Sequence, residues 1–103
     1  MSDNALDIRE NRDAHRYEVA VGDELAVSAY ELTNDTITLT HTEVPEAAEG
    51  HGVGAALVRF ALDDARKRGL RVVPLCPFVK IWIKRHPEYH DIVHPSWRLA
   101  VSA

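Results

Sequence analysis

The first half of the chain alternates between apolar and polar positions. Over residues 15–21, Tyr17, Val19 and Val21 fall on one side of an extended backbone, the period-2 mark of a half-buried strand. Gly22-Asp23 is a turn signal, residues 24–32 read as a second strand, and Asn34-Asp35 turns the chain again. Residues 36–44 are β-branched and alternate strictly, which puts Ile37, Leu39, His41 and Glu43 on one face. Connections this short join antiparallel neighbours, so the three strands are expected as a meander. Residues 8–11 are read as a short fourth strand at its edge.

After residue 50 the period changes. Val53, Ala56, Leu57, Phe60, Ala61 and Ala65 recur at i, i+3, i+4 and predict a helix over 51–68. Asp63 and Lys67 are expected to pair on its wet side, with Gly69 at C′. The apolar run Val72-Val73-Pro74-Leu75-Cys76 then reads as a strand over 71–75, buried on both faces. Pro77 suits the first position of a second helix, whose apolar side is Phe78, Val79, Trp82 and Ile83 while Lys80, Lys84 and Arg85 face water. His86-Pro87 ends that helix. The remainder reads as irregular, with Trp97, Leu99 and Val101 closing against the sheet. Strands 36–44 and 71–75 flank one crossover helix and should run parallel. The predicted class is α/β: an antiparallel meander, a helix, a parallel strand and a helix.

Composition narrows the function. A chain of 103 residues has room for one domain. With 12 basic against 16 acidic residues, the formal charge of −4 argues against wholesale binding to a nucleic-acid backbone. No apolar run approaches the roughly 20 residues of a spanning helix, so no membrane role is expected. The start of the chain is polar and acidic, unlike a secretory signal, and the lone Cys76 fits a reducing compartment, so a cytoplasmic protein is expected. So short a chain builds a modest core, and a monomer or weak dimer is the expected state.

The candidate chemistry starts at Glu49-Gly50-His51-Gly52-Val53-Gly54. Three alternating glycines before a helix let the backbone approach a ligand, and the helix start adds unpaired N–H groups and a positive dipole end. The alternative is a plain loop leading into a helix, but three glycines seldom serve packing alone. An anion cradle is therefore favoured. No Lys-Ser/Thr follows Gly54, so it is not a P-loop, and the Gly-x-Gly-x-x-Gly dinucleotide spacing is absent.

Following a strand that ends His41-Thr42-Glu43-Val44-Pro45, the Gly50-x-Gly52-x-Gly54 turn resembles the acetyl-CoA-binding motif of the GNAT superfamily, usually written Gln/Arg-x-x-Gly-x-Gly/Ala. Val72-Val73-Pro74-Leu75-Cys76-Pro77-Phe78-Val79 and Arg85-His86-Pro87-Glu88-Tyr89 extend the likeness to the small YjdJ-type GNAT-like subfamily, over roughly residues 6 to 94. The resemblance implies a minimal GNAT-like fold in a single N-acetyltransferase domain spanning residues 1–103, whose parallel strands splay to admit pantetheine. It implies acetyl-CoA as cosubstrate, held by Val44, Gly50, His51, Gly52, Val53, Gly54 and Ala55, and an amine acceptor that the sequence does not identify. Glu49 departs from the pattern, since an acidic side chain beside a pyrophosphate is unfavourable unless it points to solvent. Pro74 lacks an N–H and so weakens the ladder where the splay is implied, although a simple edge-strand proline reads the same way.

Cys76 sits at the expected N-cap of the second helix, where a thiolate is stabilised. The resemblance implies a nucleophile or base there, against the plainer reading of an inert core cysteine. His41 is a candidate catalytic residue, either directly or by orienting Glu43 as a general base, with a hydrogen-bonded core histidine as the alternative. Glu43 reads first as an exposed residue at the strand end. His86-x-x-x-His90-x-x-x-His94 has metal-ligand spacing on a helix, but nothing completes a set, so no metal is expected. Tyr89 reads as an aromatic cap before it reads as a general acid for departing CoA. Two functions stay open: a minimal N-acetyltransferase, working directly or through acetyl-Cys76, and a non-catalytic CoA-binding module or sensor. The short turn at 22–23 leaves no space for the helices that wall the acceptor in larger GNAT enzymes.

Overall fold

A computed structural model describes residues 6–102; the polar residues 1–5 read above as unlike a signal lie outside the described residues. Five strands, β1 (Arg9–Asn11), β2 (Arg16–Val21), β3 (Glu24–Thr33), β4 (Thr36–Glu43) and β5 (Arg71–Pro74), form one sheet in sequence order. All neighbours are antiparallel except β4 and β5, which run parallel across helix α1 (Val53–Lys67). The meander and the short edge strand therefore fall where the alternation put them. Helix α2 (Pro77–Lys84) follows β5, then 3-10 turns at Pro87–Ile92 and Pro95–Trp97 and a short helix α3 (Arg98–Ser102).

One face of the sheet carries the core. Tyr17, Val19, Ala26, Tyr30, Ile37, Leu39 and Val72 share that face through the strand register and pack beneath Leu57, Val58, Ala61 and Leu62 of α1 and Val79 and Ile83 of α2. The other face carries Arg16, Glu18, Leu25 and Glu31, as an antiparallel sheet with one solvated side should. The run at 71–75 is correspondingly buried on one face only. Val72 and Pro74 are enclosed, Val73 is half-buried and Leu75 is exposed. Beyond β5, the backbone of Val93 and His94 bridges to Val72, with the His94 N–H donating to the Val72 carbonyl at 2.8 Å.

Helix α1 begins two residues later than predicted, and its buried stripe is rotated. Val58 and Leu62 are fully buried, while Ala56 is half-buried and Phe60 half-exposed, its ring meeting Tyr17 edge-on. Helix α2 and the 3-10 turn at Pro87–Ile92 both pack against α1. The expected Asp63–Lys67 pair does not form, because Asp63 accepts a 2.6 Å hydrogen bond from the Tyr89 hydroxyl. Likewise Leu99 is exposed, and α3 packs its Val101 against α2 rather than the sheet.

The C-terminal end of α1 is closed twice over. Gly69, at φ 69°, makes a Schellman cap, with Leu70 N–H donating to Ala65 and Gly69 N–H to Arg66. Beside it the Tyr17 hydroxyl donates to Asp64 at 2.7 Å, and Arg68 donates to Asp64 at 2.9 Å and to Glu10 at 3.3 Å. The Tyr30 hydroxyl also donates to Glu10. Burial opposes the charge on Glu10, yet hydrogen bonds from Tyr30 and Arg12 and the Arg68 cation hold its carboxyl below the usual range. Burial and the bond to Glu10 push Tyr30 up to about 12.

Candidate functional site

The N-terminal end of α1 has none of this closure. A 3-10 turn at Glu46–Ala48 leads into Gly50 and Gly52, at φ 84° and 79°, where residues other than glycine are strained. A Cβ added at either glycine would meet nothing within 4 Å, so both are needed for backbone shape. Gly52 is the N-cap and offers no side chain to the helix. Among the described residues, none accepts a hydrogen bond from the N–H groups of Val53, Gly54 or Ala55. A helix start leaves such donors to be satisfied by a cap, by water or by a ligand.

These donors border a cavity of about 420 Å³. Of the residues expected at the cofactor, Val44, Gly50, Gly52, Val53, Gly54 and Ala55 line it; His51 is exposed and lies outside its wall. Thr42, Ala48, Glu49 and Phe78 complete the lining. Sequence reasoning missed Phe78, which it placed on the buried side of α2. The ring is instead half-exposed at the cavity, while Val79, Trp82 and Ile83 carry the packing. The available signal was Gly54, a glycine inside a helical pattern, which often marks close approach by a neighbour.

The strand that ends at this cavity carries a bulge. Ala29 pairs with His41 but Tyr30 pairs with Leu39, so Thr40 is an extra residue in β4, and its hydroxyl donates to the Ala29 carbonyl at 3.3 Å. The bulge reverses the alternation. Thr42, opposite Ser28, faces the core side, and His41 and Glu43 turn to the other face, apart from Ile37 and Leu39. There His41 Nε2 and a Glu43 carboxylate oxygen lie 2.9 Å apart, both largely exposed, and neither lines the cavity. The expectation that the four residues share a face is thus corrected, and the catalytic candidate His41 stands on the sheet face opposite Thr42.

Pairing between β4 and β5 stops at Leu39 and Pro74, while β4 continues to Glu43. One further bond, from the Cys76 N–H to the Leu39 carbonyl at 2.9 Å, marks where the strands part. Cys76 is the N-cap of α2, is nearly buried, and makes no side-chain cap bond. Its Sγ lies 3.5 Å from the Thr42 hydroxyl, which puts the thiol next to a residue of the cavity wall. Ser28, the strand partner of Thr42, has a fully buried hydroxyl without a partner among the described residues.

The three spaced histidines are otherwise engaged. His86 stacks on Trp82 at 3.6 Å and contacts the Trp82 carbonyl, His90 contacts the Ile83 carbonyl and His94 the Ser96 hydroxyl. Pro87–Ile92 is a 3-10 turn, so they do not align as on an α-helix, and among the described residues no metal-binding cluster forms. Tyr89 is buried and bonded to Asp63; burial and that bond raise its pKa, which fits a packing role.

A free helix N-terminus, a glycine turn and parting parallel strands occur together here, and the sequence profile described as GCN5-related N-acetyl-transferase matches residues 16–92. The chain belongs to the GCN5-related N-acetyltransferase family. Its relatives include Protein NATD1 of Bos taurus, 34% identical over 73 residues that make up 68% of this chain and 65% of that protein. Protein NATD1 of Danio rerio is 34% identical across 67% of this chain and 66% of the relative. The match therefore spans about two thirds of those proteins' length. A GCN5-like protein of Staphylococcus aureus, solved by solution NMR, superposes with a TM-score of 0.70 at 26% identity, covering 91% of both chains. The stretch that matches the family contains every strand but β1, together with α1, α2 and the cavity. No described helix is long and apolar enough to cross a membrane.

Proposed function

We propose that the protein binds acetyl-CoA in the cavity at the start of α1 and transfers the acetyl group to an amine. The observation that carries this reading is the set of three unpaired N–H groups, Val53, Gly54 and Ala55, at the positive end of a helix and open to a cavity. They fit a pyrophosphate, and Gly50 and Gly52 keep side chains out of its path. The uncharged arm of CoA then runs along Val44 towards Thr42, where the strands part. In the direct route an amine attacks the thioester carbonyl, the carbon–sulfur bond breaks, and CoA leaves as the thiolate while the amine loses a proton. In the second route the Cys76 thiolate attacks first, forming acetyl-Cys76 and CoA thiolate, and the amine then attacks this second thioester. The contact between Thr42 and the Cys76 sulfur supports a thiol placed at the reacting end. His41 carries no step in this reading.

A second reading, binding without turnover, has its own observation. β2 and β3 are joined by a tight turn, with Val21 opposite Glu24, so no helices rise there to enclose an amine. Calorimetry with acetyl-CoA, intact mass for an acetyl adduct and CoA release with a panel of amines separate these outcomes. We expect binding, CoA release and an adduct lost in Cys76→Ser if the covalent route operates. Binding without adduct or release supports a sensor, and absence of binding contradicts both readings.

A further inference from the structure

We infer that Gly54 and Phe78 work as one unit: the missing Cβ of Gly54 seats the Phe78 ring as a wall over the uncharged arm of the acyl carrier. This rests on the reading of the cavity as an acetyl-CoA site and assigns its two halves to different residues.

The three glycines of the turn do different things. Gly50 and Gly52 have positive φ and open space where a Cβ would stand. Gly54 lies inside α1 without positive φ, so no backbone conformation calls for glycine there. Alanine also has the higher helix propensity. What Gly54 does provide is clearance. A Cβ at that position would stand 3.0 Å from Phe78 Cζ, 3.2 Å from Cε2 and 3.5 Å from Val44 Cγ2. Helix α1 thus gives up helix propensity at a position where an aromatic ring rests on its backbone.

Phe78 itself is 45% exposed, in contrast to Val79 beside it, which is fully buried. Its place in the cavity is the telling one. One cavity wall holds the backbone donors, Thr42, which touches Cys76, and the apolar side chains of Val44, Val53 and Phe78. A diphosphate needs donors and gains nothing from an apolar wall. An uncharged chain of amides and methyl groups running from the donors to Cys76 does gain from one.

Calorimetry with two probes, CoA and ADP, on the wild type, Phe78→Ala, Gly54→Ala and the double variant tests the unit. ADP carries the diphosphate but lacks the arm. Phe78→Ala should weaken CoA about tenfold, the scale of lost apolar burial, and leave ADP within about twofold. Gly54→Ala should weaken CoA by about fivefold alone and have no further effect once Phe78 is alanine, because the clash is then gone. Phe78→Leu, which keeps apolar volume, should fall between, with thermal melts confirming that each variant is folded. Additive losses, or equal losses for ADP and CoA, would overturn the unit and leave Gly54 as part of the anion cradle alone. If the wild type binds ADP and CoA but residue 78 affects neither, only this inference falls. If the wild type binds no CoA, the reading of the cavity falls and takes the inference with it.

Discussion

At its C-terminal end α1 is fastened by a Schellman cap at Gly69 and by hydroxyl and guanidinium groups converging on Asp64 and Glu10. At its N-terminal end the same helix has a glycine cap, no capping side chain and unpaired N–H groups facing a cavity. Both ends meet the same physical demand, since every helix leaves backbone groups without intrahelical partners. At one end backbone bonds close the helix and polar side chains tie it to the sheet, and at the other, among the described residues, no side chain caps it. The difference separates the end that holds the fold from the end that is left to hold something else.

That separation can be broken first at the closed end. Asp64→Ala removes the acceptor shared by Tyr17 and Arg68 and should lower unfolding free energy by about 1–3 kcal/mol, as for hydrogen bonds to charged groups. Urea unfolding reads this loss, while acetyl-CoA affinity should stay within about twofold because the cavity lies at the other end of α1. Loss of binding in a folded Asp64→Ala protein would show that the two ends are coupled.

The same end predicts an acid dependence. Glu10 is held below the usual carboxylate range, so its contribution is present above the unfolded value, about 4.3, and is lost as pH falls through the depressed folded value. Melting temperature should therefore drop more steeply below about pH 4 in the wild type than in Glu10→Gln. Parallel curves for the two proteins would contradict the assignment.

At the open end the expected effect is smaller and of opposite character. Glu49 lines the cavity that the free N–H groups border, and one charge near a helix start is worth about 0.3–1 kcal/mol at low ionic strength. Glu49→Gln should tighten acetyl-CoA binding by that amount and should lower stability slightly, since an acid favours a helix start. Added salt should shrink both changes.

The sequence made the closed and open ends unequally legible. Alternation located β2, β3 and β4, and the period change located α1 and α2, because burial on one face imposes those repeats directly. Gly50, Gly52 and Gly69 were readable because positive φ excludes most other residues. The Thr40 bulge left no mark in the alternation, so one inserted residue carried His41 and Glu43 to the wrong face in the sequence reading. The sequence reading paired Asp63 with Lys67, whereas Asp64 pairs with Arg68, and the links to Glu10 and Tyr17 depend on contacts between residues far apart in the chain. Phe78 looked like core because helical periodicity reports a face and says nothing about where a neighbouring helix stops covering it. Family likeness reached the site through the glycine turn, and the structure added Thr42 and Phe78 to its wall.

The central claim is that the unpaired N–H groups at the start of α1 receive the anionic part of acetyl-CoA. Amide chemical shifts of the ¹⁵N-labelled protein, followed through an acetyl-CoA titration, test it most directly. The account predicts saturable shifts at Val53, Gly54 and Ala55, abolished in Gly52→Val, with Asp64 and Gly69 unmoved. Saturable shifts elsewhere with these three amides unchanged would contradict it.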